Sequence, residues 1–205
     1  WDCDIVIPPM QLFETVQRIR NGAEMVYPYD GIFHRIRHKQ KHLMKDDIGV
    51  YASFPPDGTP SFGGAVLWNK QSFMNSGMEN EYMISFGPED IERMERAVAL
   101  GVRIERTPGN LYHFAHWCGP DSSVSNPLFK KNRALLEKQR AMNKQQLQEY
   151  IHSWEWFKPY TGDYYDSITE EVTRSRDEVF KILGITEYSP IQESQLRRFC
   201  NLFGA

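Results

Sequence analysis

Between Pro9 and Asn21 the apolar residues Leu12, Phe13, Val16 and Ile19 recur at the three-and-four spacing of one helix face, and Asn21-Gly22 ends the pattern. A second stripe, Ile91, Met94, Ala97, Val98 and Leu100, follows Pro88 and stops at Gly101, so it reads as a helix with proline in its first turn and glycine as its cap. Shorter apolar pieces read as strands. They run from Asp4 towards Pro9, from Met25 to Tyr29, from Ala65 to Trp68, from Val102 to Arg106 and from Leu111 to Ala115. The turn Thr107-Pro108-Gly109-Asn110 separates the last two, and Phe54 to Pro60 is a proline- and glycine-rich loop. The stretch from Ile32 to about Lys45 reads as a basic helix, on which His34, His38 and His42 would share a face.

Beyond Asn126 the strand signals end. A long helix rich in Lys, Gln and Arg is expected from Leu128 towards Trp154, with further helices around 168–183 and 193–203. The aromatic cluster Trp154, Trp156, Phe157 and Tyr160 reads as packing back on the first part of the chain. This divides the chain into an α/β part, 1–125, and an all-helical extension, 126–205.

Composition narrows the function. The chain has 205 residues with 24 Lys and Arg against 27 Asp and Glu, and this near balance argues against a nucleic-acid binder that works through a basic surface. No apolar run approaches the ~20 residues of a membrane span. Three widely spaced cysteines form neither a zinc pair nor a disulfide framework, and no Asn-x-Ser/Thr acceptor is present, so a reducing, cytoplasmic setting is expected. The abrupt opening Trp1-Asp2-Cys3-Asp4 reads as a cut inside a larger polypeptide.

Several residues could carry chemistry. Asp2 and Asp4 lie two apart, so in extended backbone both carboxylates point to one side and can reach one divalent cation. Glu89 and Asp90 begin the second helix beside Gly87, where the macrodipole favours acids and where one of them could act as a general base. His113 and His116 are candidate metal ligands in an aromatic strand. Strand parity puts them on opposite sides, so at most one is expected at the cation, with His113 the first choice and His116 the alternative. The basic faces around Arg35–Lys41 and Lys130–Arg140 read as solvated surface, with a phosphate-rich ligand or an acidic membrane surface as the other option.

Taken in order, Phe62 to Phe73 with its Gly63-Gly64 pair, Gly77 to Tyr82, and Phe86-Gly87-Pro88-Glu89-Asp90 resemble the C-terminal catalytic half of the β-1,4-galactosyltransferases. They are also similar to bacterial family 2-type glycosyltransferases. The preceding Asp-x-Asp and the following His113 strand extend the resemblance over residues 1–117. It implies a partial GT-A fold that lacks the N-terminal βαβ units which bind the nucleotide base. It also implies metal-dependent, inverting transfer of a hexose or N-acetylhexosamine from a UDP-sugar to a saccharide acceptor, in bacterial surface polysaccharide synthesis. Mn2+, with Mg2+ as the alternative, would be held by Asp2, Asp4 and His113. Gly63, Gly64, Phe86 and Gly87 would face the donor and acceptor sugars. Asp90 would be the base and Glu89 a partner for sugar hydroxyls. The sequence departs from the pattern where Phe86 replaces a tryptophan, Pro88 a glycine and Ile91 a third acid. These residues alone are expected to be inactive while the parent polypeptide is active. The competing reading is a non-catalytic sugar- or nucleotide-binding module. A retaining transferase is a further option, and a glycosidase fits poorly because its two carboxylates would have to face each other across a cleft.

Overall fold

Pro9 opens the first helix, α1 (Pro9–Arg20), where its missing N–H and fixed φ suit the first turn, and Arg18 and Arg20 lie in the last turn, where cations favour the macrodipole. The computed structural model describes residues 2–36, 59–114, 116–119 and 121–159. Residues 1–159 form one unit. Its two small sheets use seven short strands: β1 (Ile5–Val6), β2 (Met25–Tyr27), β3 (Ile32–Ile36), β4 (Thr59–Pro60), β5 (Leu67–Trp68), β6 (Ile104–Arg106) and β7 (Leu111–Phe114). One sheet has the order β1-β7-β3-β4, with β7 antiparallel to β1 and parallel to β3. The other has the order β5-β2-β6, with β2 parallel to β6 and antiparallel to β5. The shared core is built from Ile5, Ile7, Met25, Tyr27, Tyr29, Ala65, Ala97 and Leu111.

Three further expectations meet the structure differently. Ile32–Ile36 is a strand and not the start of a basic helix. His34 and Ile36 are buried while Arg35 between them is exposed, the period-two alternation of a paired strand, and pairing with β7 decides against helical spacing. His38, His42 and the loop through Gly58 lie outside the described residues, as do the helices expected at 168–183 and 193–203. Only Leu67–Trp68 of the apolar run at 65–68 is strand, and it is half-buried, with a short helix, α2 (Lys70–Asn75), following directly. The long helix expected from Leu128 is two helices, α4 (Phe129–Arg140) and α5 (Lys144–His152). Asn143 and Gln146 form a reciprocal capping box that starts the second one.

The helix α3 (Glu89–Leu100) organises the rest. Gly101 ends it in a left-handed conformation at φ 84°, as the sequence suggested. Inside it, Arg96 and Glu92 form a fully buried ion pair at 2.9 Å, each side chain 1% exposed. Arg96 also donates to the carbonyls of Ser76 and Met78, and Asn80 and Gln139 donate to the Glu92 carboxylate and carbonyl. The pair therefore ties the 76–80 loop to α3, and the Gln139 bond to the Glu92 backbone carbonyl ties α3 to α4. Trp154 and Trp156 close the same region. Trp154 packs with Leu147 and Ile151 and lies 5.4 Å from the Arg96 guanidinium, while Trp156 donates to the Gly77 carbonyl. The aromatic cluster does pack back on the α/β elements, and Tyr160 lies outside the described residues.

Removing one partner of a fully buried pair strands the other charge, at about 3–5 kcal/mol. Arg96→Met is expected to lower unfolding stability by that amount in a denaturant titration, far more than Arg133→Ala, whose pairing with Glu137 is exposed and 3.8 Å long.

Candidate functional site

Register creates the site. Ile5 pairs with His113 across β1 and β7, and the Phe114 N–H donates to the Asp4 carbonyl at 2.8 Å, so the residue before β1 is drawn alongside the histidine strand. The Asp4 Oδ2 then lies 3.2 Å from His113 Nε2 and 2.9 Å from His116 Nε2. Three donor atoms, one from each residue, fall within 4.8 Å of one another. Both histidines join, contrary to the parity argument, because β7 ends at Phe114 and the backbone at His116 no longer alternates. Asp2 is not in this triad.

The chemistry of the triad suits a cation. His116 Nδ1 lies 2.9 Å from the Trp117 carbonyl, which can only accept, so that nitrogen carries the proton. In the neutral ring Nε2 then presents a lone pair to a carboxylate oxygen at 2.9 Å, and two acceptors at that distance need a positive charge between them. A proton or a divalent metal ion supplies it. Two imidazoles and one carboxylate form a borderline donor set that accommodates Mn2+ among other transition ions. The ring of His113 is stacked on Phe33, which fixes its plane.

The acid pair lies close by. Asp90 Oδ2 lies against Gly63, where a Cβ would collide with it, and Asp90 Oδ1 accepts from Arg93 at 2.9 Å. Arg93 is held in turn by two 2.9 Å bonds to Glu79. The Gly63-Gly64 turn is pinned by Tyr29, whose hydroxyl donates to the Gly63 carbonyl, and by Asp2, whose N–H donates to the Gly64 carbonyl. Gly64 has φ 80°, and a Cβ there would crowd Phe33 and Leu111 at 3.1 Å, so this glycine has a backbone reason of its own. Asp2 joins the two centres electrostatically. Desolvation raises its carboxyl above the usual range, Asp90 and Asp4 push the same way, and His113 opposes them.

Glu89 is half-buried, and burial raises its pKa, with Asp90 adding to the effect. Its Oε2 is buried without a hydrogen-bond partner among the described residues. Phe86 is partly exposed and stacks on Phe129, while Gly87 touches Asn132, where a Cβ would not fit. Sequence reasoning missed the residues that hold this segment, Asn126, Asn132 and Arg93. Their neighbours in sequence give no sign of a role, because each acts on a loop some 14 to 48 positions away. The position of His116 was legible only as a second choice.

Because the pKa of Glu89 is raised in the folded chain, its neutral form is the one folding favours. Its contribution is present below the usual carboxyl range and is lost as pH rises through the folded value. Glu89→Gln should therefore raise Tm at pH 7 by roughly 2 °C and should show no such gain at pH 3, as read by calorimetry at the two pH values.

No helix among the described residues is long and apolar enough to cross a membrane. No curated protein and no solved structure matches the chain. Residues 50–117 match the family model described as the N-terminal domain of galactosyltransferase, a stretch that includes the glycine pair, the acid pair and the histidine strand. Over those residues the chain matches a galactosyltransferase-family, GT-A-like glycosyltransferase domain, which supports a glycosyltransferase function.

Proposed function

We propose that the chain carries the metal and acceptor side of a metal-dependent, inverting transferase, one that moves a hexose or N-acetylhexosamine from a UDP-sugar to a saccharide acceptor in surface polysaccharide synthesis. One observation carries the reading. The Asp4–His113–His116 triad is built on and beside the segment that matches the galactosyltransferase family, and that segment also carries the Asp90 carboxylate, held against Gly63 by its place at the start of α3. When bound at the triad, Mn2+ (or Mg2+) would neutralise charge on the departing diphosphate. Asp2, outside the triad but beside it, adds negative charge to the cation's surroundings.

The chain's own residues account for the rest. Asp90 accepts the proton of the acceptor hydroxyl, whose oxygen then forms the new bond to the anomeric carbon. The bond from that carbon to the diphosphate oxygen breaks on the opposite face, so the configuration inverts. Arg93, 2.9 Å from Asp90 Oδ1, fixes the orientation of that carboxylate. Glu89, half-buried next to Asp90, would pair with a sugar hydroxyl. Phe86 supplies an apolar face for a sugar ring.

The full-length polypeptide should bind Mn2+ in calorimetric titration. Asp4→Ala and His116→Ala should each weaken that binding at least tenfold, and Asp2→Ala should weaken it less. Equal loss from Asp2→Ala and none from His116→Ala would reject the triad. In a panel of UDP-sugars with Mn2+, Asp90→Asn should lower turnover by about 10²–10⁴ while leaving donor binding intact. If no UDP-sugar is transferred or hydrolysed, a binding module replaces the transferase reading.

A further inference from the structure

The loop that leads into the acid pair is strained. Ser85 has φ 63°, in the left-handed region that a residue with a side chain seldom occupies. Such a conformation persists only where its surroundings impose it, and here they come from the far side of the sequence. Asn132 of α4 is fully buried, and its Nδ2 donates to the carbonyls on either side of Ser85, those of Ile84 at 2.9 Å and Phe86 at 3.1 Å. Asn126, just before α4, donates to the Ser85 hydroxyl at 2.8 Å. Gly87 then passes so close to Asn132 that only a glycine fits, two residues before Glu89. Three successive carbonyl and hydroxyl groups are thus held by two amides, one in α4 and one in the turn before it.

We propose that α4 is a working part of the transfer site, with Asn132 the positioning residue that sets where Glu89 and Asp90 stand. The inference rests on the transferase reading and deepens it. A loop held this way is presented in one conformation before any ligand arrives, so orientation of the acid pair is built into the fold and does not await closure over the donor. The cation triad lies just before β1, on β7 and just after β7, and it takes no part in the clamp. Asn132 should therefore govern turnover without governing metal binding.

The test uses the full-length polypeptide with Mn2+ and whichever UDP-sugar the unaltered protein turns over. Asn132→Ala should lower kcat by about thirtyfold with KM for the donor changed by no more than roughly threefold. Mn2+ affinity should stay the same. Hydrogen exchange should quicken at the amides of 84–90 and not in the body of α3, which separates local release from general destabilisation. Asn126→Ala, at a less central position, should change kcat and exchange in the same direction by a smaller amount and provides the reading if the first variant does not fold. Faster exchange at 84–90 with kcat unchanged would overturn the positioning role while leaving the transferase reading intact. Loss of Mn2+ affinity in step with kcat would also overturn it. Absence of turnover in the unaltered protein would overturn the transferase reading, and this proposal with it.

Discussion

A single buried ion pair carries much of the structure. Taking the Arg96 guanidinium and the Glu92 carboxylate out of water is costly, and the fold offsets that by satisfying the pair almost completely. The partners that do so are the Ser76 and Met78 carbonyls, the Asn80 amide and the Trp154 ring. These partners come from the 76–80 loop and from the stretch after α5, so satisfying one charge pair fixes both against α3, while the Gln139 bond to the Glu92 backbone carbonyl adds α4. Met78, at φ 61°, is held in an unfavourable backbone conformation by the same guanidinium.

The chemistry sits at the two ends of this frame. At one end the β1–β7 register brings Asp4 beside His113, and the release of strand geometry after Phe114 lets His116 turn to the same oxygen. At the other, the N-terminus of α3 presents Asp90 between the Gly63 backbone and Arg93. Neither end would be specific alone. Under the proposed reading, together they would offer a place for a cation, a held carboxylate and a second, desolvated carboxyl, the parts a glycosyl transfer needs.

Much of this was legible in the sequence wherever local rules decide. The helices α1 and α3 follow from apolar spacing, the proline at their starts and the glycine cap, and Asp4, His113, Glu89 and Asp90 stand out by residue type and order. The failures have physical causes. At Ile32–Ile36 a histidine repeat of helical period masked an alternation that only pairing with β7 makes real. The break between α4 and α5 was written in the Asn143-x-x-Gln146 pattern but hidden by uniformly polar, helix-favouring neighbours. His116 was set aside because parity was carried past the end of the strand. Asn132 and Asn126 gave no signal, since an asparagine in a polar stretch looks the same whether it faces water or holds a loop.

The central claim is that Asp4, His113 and His116 form one cation centre. Pulsed electron paramagnetic resonance on the Mn2+-loaded protein tests it most directly, because coupling to imidazole nitrogen reports which side chains touch the metal. Two histidine nitrogens should couple to the metal, reduced to one in His116→Ala. A spectrum with no nitrogen coupling would contradict it.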